Sequence, residues 1–116
     1  MVEVHEEDID VVTALAGSGP AFVYSVIEAL AKGATNAGLA DEVALALSTQ
    51  TVLGAAELAK SSKYSPEELR AMVVTPGGTT AAGLAKMQEY HVNEALAAAV
   101  EAAAKRGREM AREYEQ

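Results

Sequence analysis

The sequence predicts an all-α fold, a bundle of about five to six helices, and three observations carry that expectation. Alanine, the strongest helix former, fills 25 of the 116 positions. Apolar residues recur every three or four positions, and no stretch alternates apolar with polar residues as a half-buried strand would. Glycine and proline gather in a few short clusters that read as punctuation between helices. The length fits one domain, residues 1–116, with residues 1–7 flexible.

Asp8 or Asp10 suits the N-cap of a short first helix running through Ala16. Gly17-Ser18-Gly19 is expected to break it and Pro20 to open a second helix, where a missing N–H costs nothing. Phe22, Val26 and Leu30 form a stripe along that helix, Val23 and Ile27 lie beside it, and Gly38 ends it. Asp41 begins a third helix reaching about Lys60. It is apolar through Val43, Leu47 and Leu58 on one side and Leu45, Val52 and Leu53 around it, as expected of a helix that is central or shared between subunits. Ser65-Pro66-Glu67-Glu68 reads as a capping box opening a short helix that must end before Pro76. Gly77-Gly78-Thr79-Thr80 leads into a helix with Leu84 and Met87, and a last helix runs from about Asn93 to Tyr114. Gly33 and Gly107 fall inside helices, where glycine costs about 1 kcal/mol against alanine. Close helix crossing is the expected compensation.

The core open to these helices is thin: alanine with scattered Leu, Val and Met, one Phe and no Trp. Such helices are expected to complete their burial against a second chain. The absence of cysteine excludes a disulfide scaffold and a thiolate metal site, and His5 and His91 are too isolated to hold a metal. No apolar run reaches membrane-spanning length and Met1-Val2-Glu3-Val4-His5 is not a signal peptide, so a cytoplasmic protein without a membrane partner is expected. The net charge is −8, with five acids among the first ten residues; beyond them 12 acids face 9 bases. That balance disfavours nucleic acid as a partner. The basic cluster Lys105, Arg106, Arg108 and Arg112 interleaves with Glu101, Glu109 and Glu113, as on a solvated helix face.

Two segments stand out chemically: Gly17-Ser18-Gly19-Pro20 and Thr75-Pro76-Gly77-Gly78-Thr79-Thr80. Each is placed at a helix start, where unpaired N–H groups and bare glycine backbone receive an anion. In the second, Thr79 and Thr80 add hydroxyls able to hold a carboxylate or phosphate, or to donate a proton to a neutral heteroatom. Both segments also read as ordinary interhelical turns. Neither is a P-loop, since no Gly-Lys-Ser/Thr follows, and the first lacks the third glycine and the preceding strand of a dinucleotide fingerprint.

Leu69-Arg70-Ala71-Met72-Val73-Val74-Thr75-Pro76-Gly77-Gly78-Thr79-Thr80-Ala81-Ala82-Gly83-Leu84 closely resembles a segment of the Δ1-pyrroline-5-carboxylate reductases. Val12 to Phe22 resembles the same family's interdomain-to-helix segment, and Gly38-Leu39 and Gln50 to Ala56 match the order and spacing between them. The resemblance covers about residues 8–110. It implies the helical dimerisation domain of an oxidoreductase of proline biosynthesis, of the 6-phosphogluconate-dehydrogenase C-terminal-domain-like type. The family pairs that domain with an amino-terminal Rossmann domain, here absent, that binds NADPH or NADH. This chain alone would then bind no cofactor, turn over no substrate and represent an excised or separate domain. The helical domains interlock in a homodimer, and the dimers can assemble further.

By position the resemblance places Gly77, Gly78, Thr79 and Thr80 around the carboxylate of pyrroline-5-carboxylate or proline, with the Gly78, Thr79 and Thr80 amides holding it. The Thr80 hydroxyl would reach the ring nitrogen as the catalytic proton donor, directly or through water. Thr75 stands where the family often has serine and would also line the substrate. Ser18, Gly19 and Pro20 would lie on the cofactor side of the pocket. Two other readings stand beside this one: a purely structural helical dimerisation module, or the helical domain of another imine or hydroxyacid dehydrogenase.

Overall fold

The computed structural model describes residues 4–115. Among them are five helices and no strand: α1 Glu6–Asn36, α2 Asp41–Ser61, α3 Pro66–Met72, α4 Thr79–Glu89 and α5 Val92–Glu115. The leader expected to be flexible, residues 1–7, falls partly on residues 1–3, outside the described residues; Glu6–Asp8 forms one 3₁₀ turn.

The expected break at Gly17–Pro20 does not occur. The first two helices of the sequence reading are one continuous helix, α1, in which Thr13–Ser18 forms a π turn and Gly19 is helical at φ −52°, ψ −38°. Glycine weakens a helix by about 1 kcal/mol without ending it. Pro20 poses the larger problem, since it cannot donate to the preceding turn and its ring crowds the carbonyl four residues back. A π turn just upstream widens the helix by one residue and accommodates that defect. The joined helix also corrects the reading of membrane-spanning length. Its most apolar 18-residue window has a mean hydropathy of 1.3, enough by length and composition to cross a membrane.

The helices divide into two compact units. In the first, residues up to Tyr24 pack with those from His91 onward, and the stretch Ile9–Ser18 lies along α5. Ala14 and Ala104 are the buried residues of that crossing. A methyl at Gly107 would meet Asp10 Oδ1 at 3.5 Å, so the close crossing expected at this glycine is present. At Gly33 a methyl would meet open space, and the compensation expected there is not found among the described residues.

The second unit spans Ser25–Tyr90, and its buried residues are Ala44 and Ser48 on α2. Gly38 ends α1 as expected, at φ +118°: its N–H donates to Thr35 at 3.0 Å and Leu39 N–H to Ala34 at 3.1 Å, a Schellman end. The Thr35 hydroxyl donates to Asp41 Oδ1 at 3.2 Å across the turn. The capping box also forms as read. Glu68 N–H donates to Ser65 Oγ at 3.1 Å, and Ser65 N–H donates to Glu68 Oε1 at 3.0 Å. The backbone N–H of Ser65, and then its hydroxyl, hold the Glu68 carboxyl below its ordinary value of 4.5.

Many large apolar side chains remain exposed: Leu15 and Tyr24 on α1, and Val43, Leu45, Leu47, Leu53 and Leu58 on α2. The last five sit at 46%, 52%, 55%, 50% and 54% exposure, on both faces that the sequence reading marked. Neither unit holds a core of its own beyond small residues.

Candidate functional site

Thr75-Pro76-Gly77-Gly78 forms a β-turn closed by Gly78 N–H donating to the Thr75 carbonyl at 2.9 Å. Proline at the second position and a glycine at φ +73° in the third make it type II. Gly78 then serves as N-cap of α4 in an extended conformation, φ −87°, ψ −177°, and supplies no side chain to the cap. Its carbonyl accepts the first bond of the helix, from Ala82 N–H at 3.2 Å.

This geometry alters one assignment. The Gly78 amide, expected to hold an anion, is already committed to the turn. The amides of Thr79, Thr80 and Ala81 are the ones without a backbone partner among the described residues. They converge at the positive end of an 11-residue helix. Ala81 was missed, although the rule that a helix leaves its first amides unpaired contains the signal for it. Thr80 is half-buried, Thr75 and Thr79 are exposed, and none of their hydroxyls has a hydrogen-bond partner among the described residues. Thr80 and Leu84 share one face of α4, and Leu84, Pro76 and Arg70 line a hollow of about 460 Å³ beside the turn.

The glycines here are required by geometry. A Cβ at Gly77 would sit on a left-handed backbone, and one at Gly78 would overlap the Thr75 hydroxyl and approach the Thr75 carbonyl to 3.1 Å. The Thr79, Thr80 and Ala81 amides thus follow a turn whose two glycines carry no side chain, with the Thr80 hydroxyl on the same first turn of the helix.

Ser18, Gly19 and Pro20 belong to the first unit and do not form an anion receptor, because α1 runs through them and their turn is not a helix start. The structure separates the three. Gly19 and Pro20 line an apolar groove of about 540 Å³ with Leu15, Phe22, Tyr24 and Leu96. Ser18 faces a second hollow, of about 310 Å³, with Asp10, Thr13 and Arg106. Arg106, read as part of a solvated face, does pair with Glu113 at 3.1 Å, but its place beside Ser18 was not legible. No cluster of metal-ligating side chains occurs among the described residues. His91 pairs only with exposed Glu94, at 3.3 Å.

Residues 6–110 match the family model described as pyrroline-5-carboxylate reductase dimerisation. Pyrroline-5-carboxylate reductase 2 of Bacillus subtilis is 45% identical over 111 residues, 96% of this chain and 40% of that protein. The Pisum sativum pyrroline-5-carboxylate reductase is 50% identical over 101 residues, 87% of this chain and 37% of that protein. Among solved structures, the Plasmodium falciparum pyrroline carboxylate reductase with NADP bound superposes with a TM-score of 0.89 at 37% identity, over 94% of this chain and 42% of that one. The 1-pyrroline-5-carboxylate reductase of Streptococcus pyogenes gives a TM-score of 0.87 at 38% identity, over 91% and 41%. The chain therefore spans about two fifths of the length of these relatives.

Proposed function

The chain belongs to the pyrroline-5-carboxylate reductase family, and from that premise we propose that it is the dimerisation and substrate-binding part of such an enzyme. The reaction is reduction of the C=N bond of pyrroline-5-carboxylate to L-proline. A hydride adds to the imine carbon and a proton to the nitrogen, leaving a secondary amine.

The observation that carries this reading is the unpaired amide triad of Thr79, Thr80 and Ala81 behind a glycine-only turn. Those amides hold the substrate carboxylate, with Thr75, Gly77 and Gly78 forming the wall against which it rests. Fixing the carboxylate fixes the ring, which is the positioning that such a reaction needs. The Thr80 hydroxyl lies beside the triad and delivers or relays the proton to the ring nitrogen.

The described residues do not fit a dinucleotide: they contain no strand, and Gly17–Pro20 lies inside a helix rather than at a phosphate-binding helix start. The hydride donor, NADPH or NADH, is held by other parts of the enzyme. Gly19 and Pro20 stand as the wall facing it. A cytoplasmic enzyme with small-molecule substrate, a homodimeric partner and no nucleic-acid or membrane partner completes the proposal. The apolar surface of α1 is covered by a second copy in this reading, not by lipid.

Two measurements test it. In an enzyme containing this chain and a cofactor domain, Thr80→Ala is expected to lower kcat/KM by about 10²-fold, the lower end for a lost proton donor. An unchanged value removes the role given to Thr80. Light scattering of the purified chain at micromolar concentration is expected to give a dimer, and a monomer there counts against the assembly.

The structural-module reading has one observation of its own: the turn's glycines are demanded by backbone sterics with or without a ligand. Amide resonances of Thr79–Ala81 that do not move as L-proline is added would favour it.

A further inference from the structure

Ser18, singled out in the sequence but not used by the carboxylate receptor, opens a separate question. Asp10, Thr13 and Ser18 from α1 and Arg106 from α5 converge on the hollow of about 310 Å³, floored by Ala103 and Met110. Its volume is at the lower end of small-molecule sites, which begin at about 300 Å³.

Three helical hydroxyls on α2 bond back to the carbonyl four residues earlier: Thr49 at 2.9 Å, Thr51 at 2.7 Å and Ser61 at 2.9 Å. Thr13 and Ser18, at the two ends of the π turn, have no such partner among the described residues, and neither does the half-buried Asp10 carboxylate. Arg106 uses one N–H on Glu113 and has others left to donate. The hollow thus presents one negative and one positive group, two unpartnered hydroxyls and an apolar floor. A lone anion placed there would meet Asp10, and a lone cation would meet Arg106. A molecule bearing both charges meets a partner at each end.

We propose that this hollow binds a small zwitterionic α-amino acid, its ammonium on Asp10, its carboxylate on Arg106 and its side chain on the apolar floor. The site uses no residue of the turn Thr75–Thr80 and stands or falls apart from the carboxylate receptor there.

The test is an amide-resolved NMR titration of the chain with L-proline, repeated with prolinamide, which lacks the carboxylate. Saturable shifts at Ser18 and Gly107 are expected with L-proline, at millimolar concentration. Arg106→Gln and Asp10→Asn are each expected to weaken that binding at least about ten-fold, the loss of one charge-assisted hydrogen bond, with helicity unchanged. Gly107→Ala, whose methyl would stand 3.5 Å from Asp10 Oδ1, narrows the hollow without touching its charges and is also expected to weaken binding. The absence of saturable shifts at Ser18 and Gly107 overturns the proposal. So does equal affinity for prolinamide, or undiminished binding in both charge variants. Shifts at Thr79–Ala81 report on the turn and are scored separately.

Discussion

A side chain at Gly77 would sit on a backbone at φ +73°, which costs an L-residue roughly 1–2 kcal/mol, so Gly77→Ala is expected to lower stability by about that much in a denaturant titration. His91 already bears such a cost, at φ +55° between α4 and α5. His91→Gly is therefore expected to raise stability by roughly 0.5–1 kcal/mol; a lower melting temperature would show that the imidazole contributes more than the strain. At this scale the sequence was informative where side-chain absence has a geometric cause. Gly38, Gly77 and Gly78 read as turn residues and are. The Gly78 amide was expected to hold an anion and is instead spent on Thr75, because whether an N–H is used within a turn depends on turn type. The sequence was silent on the Ser18, Asp10 and Arg106 hollow, which joins side chains almost a hundred residues apart.

Among the elements, α3 was the most legible, since a capping box is a local contract between four consecutive residues. Ser65→Ala is expected to cost about 1 kcal/mol. The carboxylate of Glu68 titrates below its ordinary 4.5 in the folded chain, so its contribution is complete above that value and is lost as pH falls through the folded one. The stability gap between wild type and Ser65→Ala should accordingly shrink in acid; a gap that stays constant below pH 4.5 would mean the carboxylate contributes nothing. The long helix α1 was the least legible. Gly17, Gly19 and Pro20 are each recognised helix breakers, yet the apolar positions on either side keep helical spacing. A π turn absorbs the mismatch, a resolution that residue propensities do not encode.

For the whole molecule, helix content and helix order were legible from alanine and capping residues, and the thin core pointed to association, which the match to a dimerisation family supports. The division into two units was not, because it depends on which small residues meet across sequence-distant helices. Burial reaches Ala14, Ala104, Ala44 and Ser48, while leucines along α2 stay half exposed. Among the described residues, a core of three alanines and a serine leaves little for an isolated chain to gain on folding, at about 25 cal/mol per Å² of apolar surface removed from water. Folding and association are then expected to be coupled. The melting temperature should climb as protein concentration rises, and refolding should speed up with it. In a cell, the amount of chain made, as much as its sequence, would set the fraction that is folded.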